Sequence, residues 1–341
     1  MNKVIIKYII IFIIIFLLLD DIDFKSNINF HKYFNPQLYQ DNVLYYDNTF
    51  PKEYHNNAKI GKNIAKTKKI VLCGLARNIK DNVNNVLKKL EFIGSNFLDY
   101  RIVIFENDSS DNTRYLIKEN IKRNNKIILL DCSKYNSYDC KLNNQHSYTK
   151  GWNSVYRFNK MAFYREEYLN YIKENLYDYD YVLVKDLDID GNMCIDGLFT
   201  SLLIKDFGAI YGNGHNVSFY GLIKIPLDTL AYVDINDNYP NNIDYFSIYQ
   251  LLKNTIKLSY NTNLLKGFVP VKSGFNLYGL YNLKVFIKSS YINLPICEHI
   301  NLAKCIDNLG YKQFINTSWY GYTKRQGSGS IREIIFKMKN N

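Results

Sequence analysis

Four short apolar runs separated by helix-patterned stretches govern what this chain can fold into. KIVLCGLA (69–76), YRIVIFEND (100–108), KIILLD (126–131) and YDYVLVKDLD (179–188) are each long enough for a strand and too short for a helix. After the first run, Ile79, Val83, Val86, Leu87, Leu90 and Ile93 recur at helical spacing. Residues 112–124 read as a second helix with Tyr115, Leu116 and Ile117 facing in, and about 153–175 as a long third. A strand that is apolar along its length must be covered on both faces, and intervening helices supply the cover. The expectation is one α/β domain, a mostly parallel central sheet flanked by helices, with a ligand site at the carboxyl ends of its strands.

The second half is less regular. FGAIYGNG (207–214) and LIKIPLDTLAYVD (222–234) read as strands around a Gly-rich turn, and 235–265 as loop with a helix at FSIYQLLK. GFVPVKSGFNLYGLYNLKVF (267–286) alternates like a hairpin or a pair of strands. IREIIFKMK (331–339) is a basic amphipathic helix, packed on the domain or lying at a membrane surface. The partition is 1–19 membrane segment, 20–65 polar stalk without sustained period, 66–325 catalytic domain and 326–341 C-terminal helix.

Tyr8–Leu19 is an unbroken apolar stretch, with Lys3 and Lys7 before it and Asp20, Asp21 and Asp23 after it. Positive charge before and negative after favours a single-pass signal anchor with its N-terminus in the cytoplasm and the domain in a lumen. A cleaved signal peptide competes, but no small-x-small site precedes the acidic cluster. The net charge of +11 suits an anionic membrane surface or substrate phosphates. Lys and Arg are spread along the chain without a block, so nucleic acid is not the expected partner. The six cysteines include no CxxC pair. In a lumen Cys132/Cys140 and Cys297/Cys305 are near enough to pair, although all six as reduced core residues is equally consistent. The sequons at Asn216 and Asn316 would be usable only there.

Three strand ends carry polar clusters. GLARN (74–78) offers Gly74 for close backbone approach and Arg77 as a bidentate donor to phosphate, or simply makes a strand–helix turn. FENDSSDNT (105–113) has Ser109, Ser110 and Asp111 as natural N-caps, which leaves Glu106 at the end of a buried strand unexplained. YVLVKDLDIDG (181–191) drives a strand into Asp186, Asp188 and Asp190. Either it ends in an acidic surface turn, or a divalent cation makes the like charges favourable.

In this order, the three clusters resemble the nucleotide-sugar-dependent glycosyltransferases of the GT-A fold, a Rossmann-like single catalytic domain. The resemblance covers about 69–191. It implies that Ala76 and Arg77 cradle the nucleotide, that Glu106 and Asp108 contact the base side, and that Asp186 and Asp188 form the DxD motif. That motif would hold Mn2+ or Mg2+ on the donor diphosphate. RFNKMAFYREEYL (157–169) is similar to the helix preceding that motif, making Arg157 and Arg165 diphosphate or structural candidates. YGNG (211–214), LDTLAYVD (227–234), Ser273–Phe275 and CEHINLAKCIDNLGYKQFINTSW (297–319) resemble a narrower group. This is the viral and microbial enzymes akin to fungal capsule α-1,3-mannosyltransferases and procollagen galactosyltransferases. There His299 would complete the metal shell, and Glu298 or Asp228 would deprotonate the acceptor hydroxyl of a glycan or glycoprotein if the reaction inverts, whereas a retaining transfer needs no dedicated base. Turn and core roles for Asp228 and His299 are the plain alternatives. The rival functions are a metal-dependent nucleotidyltransferase or nuclease, and an inactive anchored carbohydrate-binding or virion-surface protein.

Overall fold

The computed structural model describes residues 44–45, 51–132, 140, 155–189, 192–218, 223–242, 247–262 and 267–323. The expected membrane segment (1–19) and C-terminal helix (326–341) lie outside the described residues. Among the described residues no helix is long and apolar enough to cross a membrane. In the first part of the chain come β1 (Leu44–Tyr45), α1 (Lys52–Ala65), β2 (Lys69–Ala76), α2 (Val83–Gly94), β3 (Asp99–Glu106) and α3 (Thr113–Arg123). β4 (Ile127–Asp131), α4 (Val155–Asn175), β5 (Tyr181–Lys185), β6 (Asn192–Cys194), α5 (Ile195–Ser201), β7 (Phe207–Ser218) and β8 (Ile223–Pro226) follow. The rest is β9 (Tyr232–Asp234), α6 (Ile248–Asn261), β10 (Phe268–Gly274), β11 (Tyr278–Asn282), α7 (Leu283–Phe286), α8 (Glu298–Asn308) and β12 (Lys312–Thr323).

All described strands join one sheet, its main path running β1-β6-β12-β7-β11-β5-β2-β3-β4. β5, β2, β3 and β4 are parallel, in register Tyr181↔Ile70↔Tyr100 and Ile102↔Ile127. Alternate side chains sort to opposite faces, as the pleat requires. Val71, Cys73, Val103, Phe105, Val182 and Val184 pack with α4 on one face, and Ile70, Leu72, Ile102, Ile104 and Leu183 with α2 and α3 on the other.

The expectation of a mostly parallel sheet is corrected beyond this block. β11 runs antiparallel to both β5 and β7, and β12 runs antiparallel to β6 and β10. Nor do β10 and β11 form a hairpin. β10 holds Pro270, which has no N–H to donate, and pairs with β12 and β9, whereas Tyr278–Tyr281 of β11 are buried and slot into the centre. Tyr115 does not face in either: three consecutive helical residues span about 200°, so Ile117 takes the core and Tyr115 is exposed.

The stalk expectation fails over Lys52–Ala65. That helix buries Ala58, Gly61 and Ala65 against the domain, and a Cβ at Gly61 would stand 1.9 Å from the Phe199 carbonyl oxygen of α5. Cys132 and Cys140 form a disulfide, while Cys297 and Cys305 are free thiols. The Asn316 sequon is closed by the fold. Its buried amide donates to Gly197 O (2.8 Å), Thr200 Oγ1 (3.0 Å) and Ser201 Oγ (3.0 Å).

Candidate active site

The strand order reverses beside β2: β3 lies on one side of it, and the chain returns to place β5 on the other. The helix after β2 covers one face and the helix before β5 the other, so the loops diverge and leave a crevice at the carboxyl ends. All three polar strand ends meet there.

The loops after β2 and β3 lace together. Buried Ala76 accepts from Asn107 N, and Arg77 Nε donates to Asp108 Oδ1 at 2.9 Å. Asn78 N donates to Ser109 Oγ (3.0 Å), Ile79 N to Thr113 Oγ1 (2.7 Å) and Lys80 N to Asp111 Oδ2 (3.2 Å). Asn78 and Asp108 adopt the left-handed region, at φ 52° and 41°, which Asn and Asp tolerate better than most residues. Glu106 holds the loop that follows β3. It is fully buried, Oε1 accepting from Ser109 N (2.8 Å) and Oε2 from Arg114 Nε (2.5 Å), so it shapes the loop from inside. Its partner eight residues on gave no signal in the sequence.

The DxD turn is fixed from below. Lys185, buried at the end of β5, donates from Nζ to Asp186 O (2.9 Å) and Ile189 O (2.7 Å). Leu187 is buried and Asp188 exposed, so the turn alternates carboxylate, anchor, carboxylate. Gly74 makes room for it: a Cβ there would lie 2.3 Å from Lys185 O and 2.7 Å from Leu187 Cγ. Close approach at Gly74 therefore serves this turn. Asp186 N donates to the carbonyl of Leu277, itself held at φ 78°. Burial, and then the negative charge of Asp188, push the Asp186 carboxyl up to about 6 against the pull of Arg165. Asp190 lies outside the described residues.

Arg165 is the hub of the opposite wall. From α4 its Nε donates to Glu298 Oε1 (2.9 Å), Nη2 to Asp186 Oδ1 (3.1 Å) and Nη1 to Tyr168 Oη (3.3 Å). With a side chain 6% exposed, it is a ligand of protein carboxylates, which fits the structural one of the two roles expected for it. Arg157, half-buried, lies about 12 Å further back along the helix. Glu298 opens α8 and is buried. His299 stacks on Phe275 with ring centroids 3.6 Å apart, its Nε2 3.7 Å from Glu298 Oε1. Both its ring nitrogens are buried without a hydrogen-bond partner, and burial together with Arg165 holds the ring neutral, well below the usual histidine range. Asp228 follows β8, half-buried, its Oδ1 capping Leu230 N (2.9 Å) and Ala231 N (3.3 Å), while Asn276 Oδ1 accepts its N–H (3.0 Å). Burial and the charge of Asp186, opposed by those N–H groups, push Asp228 up to about 8.

Two hard carboxylates at a strand end, one partly buried and one exposed, are a donor set that fits a divalent cation. Among the described residues no three His, Cys, Asp or Glu side chains converge as a metal centre, and His299 is held in the wall by its stack on Phe275. The fold thus gathers two groups, Ala76–Arg77–Asp108 on one side and Asp186–Arg165–Glu298–His299 on the other, with Asp228 within electrostatic reach of the second. Sequence reading passed over Lys185, Tyr168, Asn276 and Leu277. The lysine in an apolar run was the one legible sign.

No family model and no curated protein matches the chain. Among solved structures, S. aureus TarS 1–349 in complex with UDP-GlcNAc is similar at 14% identity and a TM-score of 0.41, covering 76% of this chain and 60% of that one. The mannosyltransferase PcManGT from Pyrobaculum calidifontis, in complex with GDP-Man and Mn2+, is similar at 8% identity and a TM-score of 0.43, covering 84% and 69%. The chain therefore spans about 60% of the length of TarS 1–349. At these TM-scores neither likeness bears on the chemistry, which rests on the residues.

Proposed function

We propose that this chain is a metal-dependent glycosyltransferase that moves a hexose-type sugar from a UDP- or GDP-sugar to a hydroxyl of a glycan or glycoprotein. One observation carries the reading: the DxD turn of β5 stands across a strand-order reversal from the Ala76–Arg77 loop, where an open α/β sheet binds nucleotides. When bound at Asp186 and Asp188, Mn2+ or Mg2+ would supply Lewis-acid stabilisation of the charge growing on the leaving diphosphate. Arg77, oriented by Asp108, adds positive charge on the nucleotide side. In an inverting transfer Asp228 takes the proton of the acceptor hydroxyl, since it is more open than Glu298. Glu298, already held by Arg165, belongs to the fixed wall.

The narrower likeness to the capsule mannosyltransferase and procollagen galactosyltransferase group is carried by the sequence of the second half. A lumenal, signal-anchored setting is supported by the Cys132–Cys140 disulfide, since such bonds persist in oxidising compartments.

A screen of UDP- and GDP-sugars for binding and hydrolysis with Mn2+ or Mg2+ tests the reading. Turnover of at least one donor is expected, falling about 100-fold or more in Asp186→Ala and Asp188→Ala. Failure of every donor to bind with either metal would sink it.

A further inference from the structure

We infer that Arg165 is a positioning residue that sets the spacing between the donor end of β5 and the acceptor wall at the start of α8. The inference rests on the glycosyltransferase reading and deepens it. The guanidinium grips Glu298, 133 residues away in sequence, and Asp186, 21 residues away, through Nε at 2.9 Å and Nη2 at 3.1 Å. Those two nitrogens belong to one rigid plane, so the separation of the two carboxylates follows from the guanidinium's own geometry.

The plane cannot drift. Nη1 is backed by Tyr168 Oη, which donates to Tyr291 Oη at 3.0 Å. The Phe275 ring lies 5.7 Å from Arg165 Cζ, and the same ring stacks on His299. Next to Arg165 on α4, Glu166 Oε2 accepts from Ser290 Oγ (3.1 Å) and Tyr291 N (2.8 Å), pinning the helix to the loop that leads into α8. The start of α8 is thus tied to α4 at two points, and only the tie through Arg165 also reaches Asp186.

Transfer between two bound reactants depends on sub-ångström placement, whereas donor binding depends on the nucleotide side. Arg165→Lys keeps the charge but has a single nitrogen at its tip, so it cannot hold two carboxylates at a set distance. With Mn2+ and a UDP- or GDP-sugar that the wild type turns over, kcat for donor hydrolysis, in which water stands in for the acceptor hydroxyl, is expected to fall about 100-fold in Arg165→Lys. The Kd for the matching nucleoside diphosphate, measured by calorimetry with chelator present so that the metal held by Asp186 does not enter the reading, is expected to stay within about threefold. Tyr168→Phe, which leaves both carboxylate contacts and removes only the backing hydroxyl, is expected to lose about fivefold in kcat with the same Kd. It carries the test should Arg165→Lys fail to fold. A normal kcat per folded, nucleotide-binding molecule would overturn the inference, and so would a loss of nucleotide affinity that matches the loss of kcat. A wild type that turns over no nucleotide sugar takes down the functional reading and the inference with it. An active wild type with unaffected variants takes down the inference alone.

Discussion

Lys185 is a charged side chain inside an otherwise apolar strand, and its place explains the turn that follows. An ammonium buried at this depth must be hydrogen-bonded, and two carbonyls of the DLDI turn accept from it. Lys185→Met keeps the volume and removes the donor, at about 1–3 kcal/mol for each carbonyl left unpaired. The turn should loosen, and Mn2+ affinity, read by titration calorimetry, should fall about 10- to 100-fold as for other residues that orient a ligand. Unchanged Mn2+ affinity in a folded Lys185→Met would show that the turn holds its shape without the lysine. Glu106 teaches the converse lesson. Its position at a strand end was legible, but its role was not, because Arg114 and the Ser109 amide consume both oxygens only after the loop has folded.

At the scale of elements, helical and strand periodicity located the parallel block well, since β2, β3 and β5 are largely buried on both faces and read as continuous apolar runs, and the partly buried edge strand β4 reads likewise. It failed for α1, whose buried residues are the small Ala58, Gly61 and Ala65, so no stripe of large apolar side chains marks its inner face. Small residues are what that helix needs, because it packs backbone to backbone on α5. Gly61→Ala puts a methyl against the Phe199 carbonyl, which no rotamer change relieves, at a cost of about 1–3 kcal/mol. Limited proteolysis should then cut within Lys52–Ala65 faster than in wild type. Equal cleavage rates and an unchanged Tm would mean that α1 is held elsewhere. β11 was legible as a strand but its place was not: alternation shows that a segment is a strand, but not which strands flank it.

For the whole molecule, two carboxylates give stability opposite pH slopes. Burial works against the ionised form of Asp99, yet Lys126, Tyr179 and Arg101 pull it down to about 2 from 3.8. Its contribution is therefore present above pH 3.8 and lost as pH falls toward 2. Asp228 is raised from 3.8 to about 8, so its contribution is complete below pH 3.8 and lost as pH rises through 8. With chelator present, calorimetry should find Tm falling between about pH 5 and 8, and Asp228→Asn should flatten that limb while leaving the acid limb alone. Parallel profiles for the two proteins would refute the assignment. The sequence by itself determined the α/β alternation and the three polar strand ends, because burial on both faces writes strands as apolar runs and a run broken by carboxylates stands out. Only the tertiary structure decided which of those groups face one another. Arg165, Asp186, Asp228 and Glu298 meet through a central strand and a helix far along the chain, and a contact between segments so distant leaves no period or spacing to read.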